Sequence, residues 1–135
     1  MFIKIVFIFS LVISASAFSK TIALSFNDVL DPATNAQAKQ INEAILQALK
    51  SEHVKAIVFP SLSKTGEDAG LQLIADWGVQ GHKIGNHANL HLNLNKNDVT
   101  LESYLEDMQQ GHQAFSKMVG FVPRYRFPFL KEGNT

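Results

Sequence analysis

Residues 81–91 read GHKIGNHANLH and hold three of the five histidines of the chain. Two of them, His87 and His91, stand four positions apart. In a helical turn this spacing puts both imidazoles on one side, close enough to bind one metal ion. Helical zinc proteases have a glutamate directly after the first histidine, and Ala88 occupies that position here. The spacing therefore predicts either two metal ligands or two structural histidines in a loop, and it argues against a protease.

Composition limits the classes of protein to which the chain can belong. Its 135 residues give room for one domain, and 46% hydrophobic with 18% charged residues is typical of a globular fold. Twelve Lys and Arg balance twelve Asp and Glu with no basic run, so we expect no nucleic-acid partner. Because the chain has no cysteine, any zinc site must use histidine and carboxylate ligands.

The first residues have the pattern of a targeting segment. Lys4 supplies a positive charge, residues 5–13 form an apolar run, and residues 15–17 read ASA, a small-residue cleavage site. The run is too short to span a bilayer as a stable helix. We therefore predict a signal peptide over residues 1–17, with a retained membrane anchor as the alternative. Residues 18–135 are then expected to be secreted or periplasmic, with no stable membrane span after cleavage.

Short apolar runs alternate with helical patterns along the rest of the chain. We predict that the first helix begins at Asp31-Pro32 and that Thr100 caps the third. The runs that predict strands are residues 21–26, 54–59, 83–85 and 124–127. Strands that alternate with helices form parallel sheets, so we expect a barrel or an open doubly wound sheet.

Helical spacing also predicts which side chains are buried. His82 is expected to be a structural hydrogen bonder and Trp77 a core anchor. For the first helix, the predicted apolar face is Ile41, Ala44, Ile45, Ala48 and Leu49. For the third, it is Leu101, Tyr104, Leu105, Met108, Phe115 and Met118.

Polar residues follow the ends of the predicted strands. Asn27 and Asp28 come directly after the first strand, and His87 and His91 come after the third. Arg126 lies at the fourth strand. Parallel strands end at the same edge of a sheet, and barrel enzymes place their chemistry at that edge. Residues with purely structural roles would not be expected to coincide at one edge, so the placement favours a functional site.

Three short motifs resemble those of the polysaccharide deacetylase family, the NodB-homology or carbohydrate esterase 4 group. Residues 25–28 read SFND, similar to the family's (S/T)-F-D-D, and residues 87–91 read HANLH, similar to H-(S/T)-x-x-H. Residues 126–129 read RFPF, similar to R-x-P-(Y/F). The motifs occur in the family's order and cover nearly all of residues 18–135. The resemblance implies the N-terminal part of a distorted (β/α) barrel, an α/β fold, ending after its fourth strand.

The resemblance also implies a metal-dependent reaction. Asp28, His87 and His91 occupy the positions of the family's metal ligands. Two imidazoles and one carboxylate suit zinc, with cobalt and nickel as alternatives, and leave positions for water and substrate. The implied activity is hydrolysis of carbon–nitrogen bonds other than peptide bonds. Its implied substrate is an N-acetylated polysaccharide such as peptidoglycan or a chitin-like chain, which loses its acetyl groups.

Some positions depart from the family pattern. Asn27 replaces the family's general base, and a carboxamide can orient a water molecule but cannot take its proton. Ala88 replaces a hydroxyl residue. Arg126 keeps the position that orients the base, and Pro128 and Phe129 are expected to contact the glycan.

The family's later motifs supply a tryptophan-containing wall and a histidine that protonates the leaving amine. Neither has a counterpart before Thr135, so we expect the front part of a longer protein. Three functions stay open: a deacetylase weakened at Asn27, a non-catalytic descendant that binds a metal or a glycan, and a truncated product without activity. Asn27 favours the descendant, whereas intact Asp28, His87 and His91 favour a retained chemical site.

Overall fold

The computed structural model describes residues 21–66 and 68–133. Its elements are β1 (Leu24–Asn27), α1 (Ala38–Ser51), β2 (Ala56–Phe59), α2 (Leu62–Thr65), α3 (Asp68–Val79), β3 (Lys83–Asn86), α4 (Leu101–Phe115), β4 (Phe121–Tyr125) and a 3₁₀ turn over Pro128–Leu130. The predicted signal peptide lies outside the described residues. Within the part of the chain that is described, no helix has the length and apolar character needed to cross a membrane.

The four strands form one sheet in the order β1-β2-β3-β4, and every neighbouring pair is parallel. The predicted parallel α/β arrangement is therefore confirmed. Because each strand lies beside the next one in sequence, all four carboxyl ends meet at one edge. The β3–β4 register is irregular: Ile84 lies opposite Phe121, whereas Asn86 lies opposite Tyr125. Such a bulge bends the sheet and redirects side chains, and this one lies directly before the histidine pair.

A buried polar bridge joins α1 to α3 beneath the sheet edge. Trp77 is 2% exposed, and its Nε1 donates to Asn42 Oδ1 at 2.8 Å. Asn42 in turn donates from Nδ2 to the Leu73 carbonyl at 3.2 Å. The buried His82 ring lies edge-on to Trp77 and accepts from the Ala56 backbone N–H at 3.2 Å. The structural roles predicted for Trp77 and His82 are confirmed.

The first helix begins at Ala38 and not at Asp31-Pro32, so that predicted boundary is wrong. Asp31 forms a turn in which its Oδ1 accepts from the Ala33 N–H at 2.8 Å. Its carbonyl accepts from the Asn35 N–H at 2.9 Å. Aspartate competes well for nearby backbone donors, and here the local turn uses the carboxylate that would have capped a helix.

The predicted helix faces are also partly wrong. Thr100 caps α4 as predicted, with its Oγ1 accepting from the Ser103 N–H at 3.1 Å. However, Leu101 and Leu105 on the predicted face of α4 are 63% and 46% exposed. The residues buried on the two helices are Ala38, Asn42, Leu46 and Leu49 in α1, and Tyr104, Asp107, Gly111 and Phe115 in α4. The polar or small residues Asn42, Asp107 and Gly111 thus occupy inward positions that the apolar pattern did not predict.

Candidate metal centre

Each of the four strands delivers one side chain to the same edge of the sheet. Asp28 follows β1, Ser61 comes after β2, His87 follows β3 and Arg126 comes just after β4. The backbone N–H groups of Asp28, His87 and Arg126 each donate to a carbonyl at the end of the neighbouring strand, at 2.9 to 3.1 Å. These bonds extend the ladder one residue beyond β1, β3 and β4, so the sheet fixes the backbone of Asp28, His87 and Arg126.

Asp28, His87 and His91 converge at this edge. One ligand atom from each lies within 4.8 Å of the other two, and the Nε2 atoms of the two histidines are 3.0 Å apart. His87 is 1% exposed, and its Nδ1 contacts the Arg126 carbonyl at 2.8 Å. A carbonyl only accepts, so Nδ1 of His87 carries the proton and its Nε2 lone pair faces the cluster.

The segment between the two histidines is a loop, and not the helical turn in which a four-residue spacing places two imidazoles on one side. Ala88 and His91 both have left-handed backbone angles, with φ of 73° and 61°. Asn86 Oδ1 accepts from the Ala88 N–H at 2.9 Å. The Ala88 N–H is therefore bonded to a side chain and not to a helical backbone carbonyl. The loop conformation, and not a helical turn, brings the two imidazoles together.

Two residues that the sequence did not single out hold the Asp28 carboxylate. Ser61 Oγ donates to Oδ1, and Lys64 Nζ lies 3.0 Å from Oδ2. Burial raises the pKa of Asp28, but the hydrogen bonds from Ser61 and Lys64 and the charge of Lys64 outweigh it, so this pKa lies below its ordinary value. Asp28 is therefore ionised at neutral pH, as a metal ligand must be. The sequence signal for Ser61 was its place just after a strand.

Burial lowers the pKa of both histidines of the cluster. For His87 this effect exceeds the opposing influence of the Arg126 carbonyl and of Asp28. For His91 the positive charge of Lys64 adds to the effect of burial. Both imidazoles are therefore neutral at pH 7, which is the form that binds metal ions.

Arg126 is held against Asn27 by several contacts. Its Nη1 donates to Asn27 Oδ1 at 2.9 Å, and its Nη2 donates to Ser25 Oγ at 3.1 Å. The guanidinium carbon also lies 4.3 Å from the centre of the Phe59 ring. The guanidinium is consequently directed at the residue that stands in the family's base position.

The two residues expected to contact a glycan differ in their exposure. Pro128 is fully buried, so its side chain is not available to a ligand in this structure. Phe129 is 58% exposed, and its ring lies edge-on to His91 with 4.6 Å between ring centres. Phe129 therefore provides an accessible apolar surface beside the histidine pair.

The residues present fit a divalent ion. Zinc–nitrogen bonds of about 2.0–2.1 Å in tetrahedral geometry place two ligating nitrogens about 3.3 Å apart. The Nε2 atoms of His87 and His91 are 3.0 Å apart, close to this separation. Two nitrogen lone pairs facing one another at this distance repel, so a proton or a cation must lie between them. The ionised Asp28 supplies the negative charge that makes a cation favourable.

The sequence and the fold of the chain resemble those of known proteins. A family model described as polysaccharide deacetylase matches residues 15–135. No curated protein sequence matches significantly. One similar solved structure is the Bc1960 peptidoglycan N-acetylglucosamine deacetylase, with a TM-score of 0.65 and 24% identity over 81% of this chain and 46% of that one.

Two further structures have the same fold. A BA3943 mutant, described as a CE4 family pseudoenzyme with restored enzymatic activity, has a TM-score of 0.68 and 18% identity over 84% of this chain and 38% of its own. The chitin deacetylase from the fungal pathogen Colletotrichum lindemuthianum has a TM-score of 0.60 and 22% identity over 81% and 46%. The likeness confirms the predicted fold, part of a NodB-type barrel. The chain spans less than half the length of each of these structures.

Proposed function

The chain belongs to the polysaccharide deacetylase family, and on this premise we propose that its site binds one divalent metal ion and removes acetyl groups from an N-acetylated glycan. The observation that carries the proposal is the convergence of the Asp28 carboxylate with the His87 and His91 imidazoles within 4.8 Å. Two nitrogens and one oxygen favour zinc, with cobalt or nickel as alternatives, and leave positions for water and a substrate carbonyl.

The chain's own residues prepare the site for this chemistry. A bound divalent ion would supply a Lewis acid that polarises the acetyl carbonyl and lowers the pKa of a water molecule. The hydrogen bond from His87 Nδ1 to the Arg126 carbonyl directs the Nε2 lone pair toward the cluster. Asn27, held by Arg126, can orient water but cannot accept its proton. Proton transfer is therefore the weakest part of the site, and we expect slow deacetylation.

The substrate class follows from the family and from the exposed side of the site. Two of the similar structures are described as a peptidoglycan N-acetylglucosamine deacetylase and a chitin deacetylase. Both descriptions name N-acetylated glycans, which supports the same class of substrate here. The accessible ring of Phe129 offers such a glycan an apolar surface next to His91. A secreted or periplasmic location, which the predicted signal peptide would give, is where polymers of this kind occur.

The second candidate is a non-catalytic descendant that binds a metal or a glycan. Asn27 is the observation that favours it, because the site then lacks the family's proton acceptor. One similar structure is itself described as a mutant of a pseudoenzyme. A descendant that binds a metal shares the metal site with the first candidate, and the two then differ only in whether acetate is released.

Zinc binding tests what the two candidates share. The purified protein should retain about one equivalent of zinc after dialysis, and the double variant His87→Ala/His91→Ala should retain none. A matched control is His53→Ala/His112→Ala, which removes two exposed histidines and should leave binding unchanged. Equal zinc retention by all three proteins would overturn the proposed site.

Acetate release separates the two candidates. With zinc supplied, Asn27→Asp should raise acetate release from an N-acetylglucosamine oligomer by on the order of 10²–10⁴-fold, the usual contribution of a positioned base. Asn27→Ala is the matched control, since it removes the amide without adding a base. Asp28→Asn should abolish both zinc binding and activity. If Asn27→Asp gives no gain while zinc stays bound, loss of the base is not what limits acetate release, and the non-catalytic descendant becomes the better account of the site.

A further inference from the structure

Asp107 is a buried carboxylate of α4 that has no part in the proposed chemistry. It is 3% exposed, and within the described residues it forms no ion pair. Its Oδ1 accepts from the Leu90 N–H at 2.5 Å, and its Oδ2 accepts from the Leu92 N–H at 3.4 Å. These two residues flank His91. Two backbone N–H groups thus hold this carboxylate in contact with the loop, and they offset the cost of burying its oxygens.

The same helix holds the other side of the loop. Asn86 Nδ2 donates to the Met108 carbonyl at 2.8 Å, while its Oδ1 accepts from the Ala88 N–H at 2.9 Å. Gly111 allows this close approach, because a Cβ there would overlap Asn86 Oδ1 and the Ala88 carbonyl. The contacts made by α4 thus reach the loop both before and after His87.

The loop needs such support because of its backbone. Ala88 and His91 have φ of 73° and 61°, a region that residues with a side chain rarely adopt. A strained conformation persists only where surrounding contacts enforce it. At His91 the enforcing contacts are the two hydrogen bonds that Asp107 accepts, one on each side of the imidazole.

We propose that Asp107 is a positioning residue: it holds the 87–91 loop so that His91 Nε2 stays 3.0 Å from His87 Nε2, the geometry in which both can bind one metal ion. This inference rests on the proposed metal site. Asp107 is not a ligand, and it acts only through the backbone of the loop. Replacing it with asparagine puts an NH₂ group where one of the loop N–H groups needs an acceptor, so one hydrogen bond is lost and His91 is released.

The test compares the wild type with Asp107→Asn and with Glu106→Gln, an exposed neighbour on the same helix. Zinc affinity should fall by roughly 10–100-fold in Asp107→Asn, the effect typical of residues that orient a ligand, and should stay unchanged in Glu106→Gln. The visible spectrum of bound cobalt should change in Asp107→Asn alone, because it reports ligand geometry. Wild-type affinity and an unchanged cobalt spectrum in Asp107→Asn would overturn the inference.

Amide hydrogen exchange in the metal-free wild type keeps the inference testable even if the variant does not fold. The Leu90 and Leu92 amides should exchange slowly, because their N–H groups are bonded to Asp107. Exchange as fast as in a free loop would overturn the role of Asp107. If these amides are protected but the wild type binds no zinc, the proposed function fails while Asp107 still holds the loop.

Discussion

Replacement of Lys64 with methionine is expected to tighten zinc binding. The Lys64 ammonium lies 3.0 Å from Asp28 Oδ2, and Ser61 donates to the other oxygen of the same carboxylate. Both oxygens of the one anionic residue in the candidate site are therefore engaged by protein donors. An incoming ion must displace the ammonium or share Asp28 with it. Methionine keeps most of the aliphatic stem and removes the charge.

The magnitude follows from the geometry of the pair. The Lys64 and Asp28 side chains are 45% and 27% exposed, so water screens their interaction. At 3.0 Å the Coulomb attraction is about 1.4 kcal/mol in a medium like water. Measured values for exposed pairs are smaller, about 0.2–1 kcal/mol. A divalent ion about 4 Å from the ammonium would add repulsion of about 2 kcal/mol, which is reduced when the flexible lysine swings away.

We therefore expect a net gain of about 1–1.4 kcal/mol in Lys64→Met, or about 5- to 10-fold in zinc affinity. Competition with a chromophoric chelator measures this affinity directly. The matched control is Lys39→Met, which removes a lysine paired with Glu43 at 3.8 Å on α1 and should leave the affinity unchanged. Added salt should reduce the gain, because it screens exposed charges. Unchanged or weaker zinc binding in Lys64→Met would refute this reasoning.

Two further outcomes concern the fold. Trp77→Phe leaves the buried Asn42 Oδ1 without its donor and removes ring volume. The free energy of unfolding, measured with urea, should therefore fall by roughly 2–4 kcal/mol. A fall below about 1 kcal/mol, the usual size for a surface substitution, would contradict the role of the bridge. Burial raises the pKa of both tyrosines, Tyr104 and Tyr125, above the ordinary 10.0. The folded protein should therefore show little tyrosinate absorbance at pH 10. Because the unfolded chain releases these protons first, stability should fall as the pH rises above 10, and a normal titration at pH 10 would contradict their burial.

The strand ends could be predicted from the sequence because they follow from geometry alone. Neighbouring parallel strands end at the same edge of the sheet, so the polar residues that follow the apolar runs lie together at that edge. This rule predicted Asp28, His87 and Arg126, and applied to β2 it would also have found Ser61. Lys64 could not be found in this way. Its contact with Asp28 depends on the path of α2, a four-residue helix that none of the predicted strand ends positions.

The helix faces could not be predicted from apolar spacing because their inward residues serve particular partners. Asn42 is buried because it accepts a hydrogen bond from Trp77, which is distant in sequence. Asp107 is buried because it accepts a hydrogen bond from the loop that carries the histidines, and Gly111 because that loop packs closely against it. A hydrophobic pattern gives no sign of such partners. The four-residue spacing of the histidines was informative because it limits how far apart the two imidazoles can lie. The loop brings them together without a helical turn.

Asn27 separates what the site binds from what it catalyses. Asparagine and aspartate have nearly the same shape, and the Arg126 guanidinium donates to Asn27 Oδ1 as it would to a carboxylate oxygen. The substitution therefore keeps the geometry while it removes both the proton acceptor and one negative charge. Asn27→Asp should consequently raise the rate of deacetylation and also tighten zinc binding, because the added carboxylate offsets nearby positive charge. Lys64→Met should tighten zinc binding alone, so a gain in rate from that variant would show that metal occupancy, and not the missing base, limits the reaction.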